Sequence, residues 1–204
     1  MSFASTLIST FLGMIFGLLL ESYNFFGKRV VVRICRTLMA TPPVVAGLVV
    51  YLLLMRQGPF GAFGLLFTVQ AMVIAQVLLI TPIITGLVYT YSVRSAPTIR
   101  MFAKTMGASQ VQTMFLFLKE MKGEFYFVVI AAFSRAISEV GAVMIVGGNI
   151  QHRTRTMTTA ITMLRNVGDF SQGITLGIML LTIAFILQSL SDLFHKPPQN
   201  EENF

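Results

Sequence analysis

The chain has 204 residues, 55% of them hydrophobic and only 11% charged, with a mean hydropathy of +0.77. A soluble domain carries about 25% charged residues, so the composition excludes an ordinary soluble protein and points to a chain surrounded by membrane lipid. The net charge of +7 sits beside apolar runs rather than on an amphipathic soluble face, which reads as loop charge beside a membrane and not as nucleic-acid binding.

A spanning helix needs about 20 apolar residues at about 1.5 Å rise each. Taken in chain order, five stretches qualify. Residues 3–20 are uncharged and begin almost at Met1, with no basic segment ahead of them, so no cleavable signal peptide is expected. Residues 37–55 lie between Arg36 and Arg56, and Pro42 and Pro43 are expected to break or kink the cytoplasmic end. The uncharged run 57–93 is too long for one span; the turn group Gly58, Pro59, Phe60, Gly61 narrows it to 65–91, with Pro82 as a kink. Residues 125–146 form the fourth candidate, and it alone contains charges; residues 174–190 form the fifth. No alternation of period two persists, which argues against a β-barrel. The expected class is an all-α membrane protein with about five transmembrane helices. One domain covers 1–195, followed by a polar tail at 196–204 that is expected to be disordered.

Ten Lys and Arg residues fall on one side of these spans: Lys28, Arg29, Arg33, Arg36, Arg94, Arg100, Lys104, Lys119, Lys122 and Lys196. Four fall on the other: Arg56, Arg153, Arg155 and Arg165. The excess places 21–36, 94–124 and the C-terminus in the cytoplasm and the N-terminus outside. The single Cys35 has no intrachain partner for a disulfide and reads as inert packing.

The loop at about 94–124 is polar and basic. Ser95 is expected to cap a helix with Pro97 in its first turn, Gly107 to stop it, and a second helix to start near Ser109. That second helix puts Val111, Phe115 and Leu118 on one face. Read alone, such a segment suits docking onto another protein or lying on the membrane surface.

The stretch from Ala103 to Phe115, A-K-T-M-G-A-S-Q-V-Q-T-M-F, resembles the EAA loop of type I ABC-transporter permeases. The resemblance extends to A-T-P-P-V-V-A-G at 40–47, to A-A-F-S-R-A-I-S-E-V-G-A-V-M-I-V-G-G-N-I at 131–150, and to T-R-T-M-T-T-A-I at 154–161. Together these are similar to the tungstate-type branch of the oxyanion permeases, beside the molybdate and sulfate branches, over roughly residues 30 to 185. The resemblance implies the type I ABC importer permease fold. It also implies a homodimer, two copies of a cytoplasmic ATPase subunit that receives the loop, an extracytoplasmic substrate-binding protein, and placement in the cytoplasmic (inner) membrane. The ATPase-coupling residues it implies are Ala103, Lys104, Gly107, Ala108 and Ser109. The glutamate that names the motif falls at Met101, its next alanine at Phe102, and the closing Leu-Pro at Lys119 and Glu120. Docking is therefore expected to rest on shape rather than on a salt bridge at position 101. Family members often carry more sequence ahead of the first span, so the chain is expected to begin short relative to them.

Arg135 and Glu139 are four apart and so share a helix face, with Arg135 about 15 Å into the span. Buried charges at such depth face protein or water. Two roles fit: a self-neutralising ion pair that holds helices together, or a lining of the translocation pathway in which Arg135 attracts an oxyanion and Glu139 weakens its grip. The outer loop, 147–173, sets Arg153, Arg155 and Arg165 against the one acid Asp169, with Thr154, Thr156, Thr158 and Thr159 as hydroxyl donors. It fits either a solvated loop or a basic funnel beneath an anion-delivering protein.

The chain contains no G-x-x-x-x-G-K-[ST] phosphate loop, so no ATP hydrolysis is expected on it alone. His152 and His195 stand apart, and neither a metal site, a cofactor nor a catalytic triad is expected. The 13 Met residues are scattered through apolar runs as packing. The expected function is a permease subunit importing tungstate or a related tetrahedral oxyanion, with molybdate or sulfate as the alternative cargo. From another class, an autonomous small channel or a membrane scaffold without an ATPase also fits; an ATPase encoded beside this chain separates the two.

Overall fold

The computed structural model describes residues 1–194; His195, Lys196 and the expected polar tail lie outside them. Among the described residues there are nine α-helices, one short 3-10 turn and no strand. In order they are α1 (Ser2–Ser22), α2 (Lys28–Met39), α3 (Pro43–Leu54), the 3-10 turn Gly61–Phe63, α4 (Val69–Thr105), α5 (Gln110–Glu120), α6 (Lys122–Ser138), α7 (Gly141–Gly147), α8 (Met157–Val167) and α9 (Phe170–Phe194). Three helices, α1, α4 and α9, are long and apolar enough to cross a membrane. Two bent pairs, α2 with α3 and α6 with α7, bring the number of candidate spans to five.

The centre of the fold is α1 lying along α4. The buried face of α1 is Ser5, Thr6, Ser9, Gly13 and Gly17, a row of small residues recurring every fourth position. Small residues let two helix backbones approach closely where lipid offers no hydrophobic drive for association. Cβ atoms on Gly13 and Gly17 would lie 2.6 Å from Ile84 Cβ and 2.7 Å from Val88 Cγ1, so the two glycines set the distance of approach. Ile84 and Val88 lead into a core shared by α4, α5 and α6, with Phe117, Met121, Phe125 and Val128. A second core joins α3, α4 and α7 through Val50, Met72, Ala75, Val143 and Val146.

Two expectations need correction and a third is sharpened. Ser95 does not cap a helix: α4 runs unbroken for 37 residues through Pro82, Ser95 and Pro97, and its true cap is Thr68, whose hydroxyl accepts from the Ala71 amide. A proline inside a helix removes one hydrogen bond, and the propagated turns on both sides carry the helix through it. The second span breaks at the prolines as expected, but further than a kink: Ala40–Pro42 interrupt it, the helix before them starts at Lys28, and α2 turns 103° away from α3. Pro43 opens α3, where its missing N–H costs nothing. The fourth span likewise breaks, at Glu139–Val140, with a bend of 54°. Gly58–Gly61 turn the chain as expected. The loop then returns so that the Phe67 amide donates to the Val146 carbonyl at 2.9 Å, tying the loop between α3 and α4 to the end of α7.

Candidate functional site

The two breaks meet. A Cβ on Gly47 of α3 would stand 2.7 Å from Ala142 Cα of α7, and one on Gly141 would stand 3.1 Å from Val44 Cγ2. The start of α3 and the start of α7 therefore touch backbone to backbone, deep in the fold.

A broken span leaves carbonyls without helical partners, and in a membrane each unsatisfied group costs several kcal/mol. Near this break, side chains from three elements bond to backbone carbonyls. Gln76 Nε2 of α4 donates to the Ala136 carbonyl at 2.8 Å, and Ser2 of α1 donates to the same carbonyl at 3.2 Å. Ser5 in turn donates to Gln76 Oε1 at 2.7 Å. Thr158 of α8 donates to the Glu139 carbonyl at 3.2 Å. Of these partners only Thr158 is singled out by the sequence, as a hydroxyl donor of the loop; Ser2, Ser5 and Gln76 are polar residues inside apolar runs, where no local pattern marks them.

Arg135 and Glu139 lie at the same place. Arg135 Nη2 stands 3.4 Å from Glu139 Oε2, an ion contact without hydrogen-bond geometry. Glu139 Oε1 accepts from the Ala142 amide at 3.3 Å, in the first turn of α7. The pair is asymmetric: the Glu139 side chain is 1% exposed and that of Arg135 is 39% exposed. The shared helix face expected from the spacing holds only in part, since α6 ends at Ser138 and Glu139 is extended.

The threonines at 154–159 are occupied. Thr154 donates to the Gly147 carbonyl at 2.6 Å and accepts from the Ile150 amide at 2.8 Å, closing the end of α7. Thr156 and Thr159 cap α8 reciprocally, and Asp169 accepts from the Gln172 amide at the start of α9. Arg153 and Arg165 are exposed, and Arg155 is half-buried with its Nε unpaired.

At the other end of the molecule, α4 carries the chain to Met106. Gly107 takes φ +70, the left-handed conformation that glycine tolerates best. Its amide donates to the Lys104 carbonyl at 3.1 Å, and the Ala108 amide donates to the Ala103 carbonyl at 3.0 Å, a Schellman closure. Ser109 then caps α5 in a reciprocal box with Gln112. Ala103 is buried, Ala108 half-buried, and Lys104, Gly107 and Ser109 exposed. The face predicted for α5 is open: Val111 is 80% and Phe115 71% exposed, with Met114 and Leu118 beside them. Met101, Phe102 and Met106 extend the same apolar character onto the end of α4. One brace was not expected: Arg100 Nη2 on α4 bonds Glu21 Oε2 at the end of α1 at 2.7 Å.

The chain matches the family described as the binding-protein-dependent transport system inner membrane component, over residues 9–197. It is similar to the tungstate uptake system permease protein TupB of Peptoclostridium acidaminophilum, 43% identical over 189 residues that cover 93% of this chain and 83% of that protein. It is 39% identical to a probable anion ABC transporter permease protein of Haloferax volcanii, over 95% of this chain and 85% of that one. The sulfate transport system permease protein CysW of Escherichia coli is more distant, at 27% identity over 97% of this chain and 74% of that protein. With a model match over most of its length and relatives at this identity, the chain belongs to the binding-protein-dependent transport system inner membrane component family, whose members are permeases with the type I ABC importer fold.

Proposed function

We propose that this chain is the membrane-spanning subunit of an ATP-driven importer for tungstate or a related tetrahedral oxyanion. It works as a homodimer with two ATPase subunits and an extracytoplasmic binding protein. The N-terminus is outside and the C-terminus cytoplasmic, in line with the distribution of Lys and Arg. Residues 1–195 act as one transmembrane domain.

The observation that carries the reading is the exposed hairpin of α4 and α5. A 37-residue helix runs from the membrane into a capped turn, and the hairpin leaves Met106 at that turn and Val111, Met114 and Phe115 on α5 exposed. An apolar face carried on a polar, basic segment suits an interaction surface. Its attachment to α4, which also packs on α1, α6 and α7, lets a push at the hairpin reach both helix breaks. Ala103, Lys104, Gly107, Ala108 and Ser109 form the turn that transmits it. At the breaks, Glu139 is the buried half that fixes the start of α7. Arg135 is the open half that offers positive potential to the anion. Arg153, Arg155 and Arg165 supply a basic approach from outside. Tungstate is favoured over sulfate because the tungstate permease is the nearer of the two relatives.

Gly107→Val tests the coupling role. A β-branched residue at φ +70 strains the turn by about 1–2 kcal/mol, while Gly107→Asn tolerates that conformation. The valine variant is expected to reach the membrane but to lose co-purifying ATPase and uptake, with the asparagine variant near wild type. ATPase retention and normal uptake in Gly107→Val would show that coupling runs elsewhere.

A further inference from the structure

The helix α2 is strongly two-sided. Lys28, Arg29, Arg33 and Arg36 fall along one edge, and Val31, Ile34 and Leu38 along the other. It turns 103° from α3 and lies against the end of α1 and the middle of α4, where Cys35 Sγ donates to the Pro82 carbonyl at 3.4 Å and Lys28 Nζ stands 5.8 Å from the Tyr89 ring centroid. A helix with one basic and one apolar edge suits the headgroup boundary of a bilayer.

Two grooves flank it. The first, of about 1000 Å³, is basic: Arg29, Arg33, Arg36, Lys28 and Arg100 line it, with Glu21 as its one acid. Glu21 is already committed, since its carboxylate holds Arg100 at 2.7 Å and its carbonyl accepts from Lys28 Nζ at 3.3 Å. Arg29, Arg33 and Arg36 are exposed and make no salt bridge among the described residues. The second groove, of about 530 Å³, is apolar and is walled by Phe16, Leu19, Leu20, Ile34, Leu38 and Pro82. Phe25, in the turn between α1 and α2, lines both, and Cys35, Arg36 and Tyr89 lie between them beneath α2.

The geometry points to a binding site for an anionic phospholipid, with the phosphate and its headgroup among the three free guanidiniums and an acyl chain in the apolar groove. Guanidinium forks match phosphate oxygens. A basic pocket between transmembrane helices on the cytoplasmic side is where such headgroups are held. A free oxyanion would use the basic groove but has no use for the apolar one that adjoins it. Bound there, the lipid would brace α2 against α1 and α4, next to the break that begins at Ala40. The inference rests on the membrane orientation proposed above.

The test is lipid titration of the full chain, purified in detergent, by native mass spectrometry. Palmitoyl-oleoyl phosphatidylglycerol is compared with the matching phosphatidylcholine. Phosphatidylglycerol is expected to bind selectively. Arg29→Gln, Arg33→Gln and Arg36→Gln combined are expected to weaken it by about a hundredfold, because each basic side chain near the surface contributes about a factor of five. The triple Arg→Lys variant keeps the charge and should stay within a few-fold of wild type; thermal unfolding of each variant confirms that it is folded. Arg153→Gln with Arg165→Gln, on the opposite side, should change nothing. Soluble glycerophosphoglycerol, which lacks acyl chains, should bind at least about tenfold more weakly than the lipid, since apolar burial is lost. Equal binding of the two lipids, or undiminished phosphatidylglycerol binding in the Gln variant, overturns the proposal. So does tungstate or inorganic phosphate binding the groove while the lipid does not, which would assign it to a free anion. Lipid binding is read without uptake, so its failure and a failure of the transport function are seen separately.

Discussion

Glu139 is a carboxylate placed where the surroundings are almost closed to solvent, yet one of its oxygens lacks a hydrogen bond and meets only Arg135, at 3.4 Å. Removing either partner alone leaves the other charge uncompensated, which costs about 3–5 kcal/mol in buried pairs of soluble proteins. The asymmetry of exposure makes the two single variants unequal. Arg135→Gln strands a sealed carboxylate and should lower thermal stability in detergent strongly. Glu139→Gln leaves a half-open cation and keeps an acceptor for the Ala142 amide, so it should cost less. The double variant should regain stability but transport poorly, because the positive potential at the break is gone. Unchanged stability of both single variants would contradict the ion pair, and full uptake per folded complex in the double variant would contradict the role of Arg135. The pair itself was readable from its spacing. The break beside it was not, because Ser138-Glu139-Val140-Gly141 sits inside a run apolar enough to pass for one span, and the carbonyls there find partners on α1, α4 and α8 that no local pattern reveals.

Among the elements, the contact of α1 with α4 depends on close approach more than on large side chains. Gly13→Ala places a methyl 2.6 Å from Ile84 Cβ and Cγ2, inside a core with little room to yield. Overpacking of this kind costs about 1–3 kcal/mol, so a clear fall in the unfolding temperature of the purified protein is expected. Gly177→Ala on α9 meets nothing within 4 Å and should be neutral. Equal effects of the two would mean that α1 and α4 do not pack as described. The small-residue row Ser5, Ser9, Gly13, Gly17 was present in the sequence but hidden by the uniform hydropathy around it. The hairpin was better signposted. Gly107 and Ser109 mark the turn correctly because capping is local chemistry, whereas Ser95 with Pro97 imitates a helix start inside a helix that longer-range packing keeps whole.

At the scale of the whole molecule, the uncharged runs give the class, and the five stretches they mark correspond to three long helices and two bent pairs. Pro42 and Pro43 mark the first break, but the size of its bend, 103°, and the whole of the 54° bend escape such reading, since hydropathy records depth and not direction. Orientation has its own check. A cysteine placed at position 150, in a Cys35→Ser background, should react with an impermeant reagent from outside intact cells; labelling only from the cytoplasmic side would invert the arrangement. The transport claim is tested most directly by tungstate accumulation in cells lacking this subunit, complemented with the wild-type chain or with Gly107→Val, and measured as metal per cell at low external tungstate. The expected result is restored accumulation with the wild type and background levels with the variant, at equal amounts of membrane-inserted protein. Accumulation that is the same with and without the subunit would contradict it.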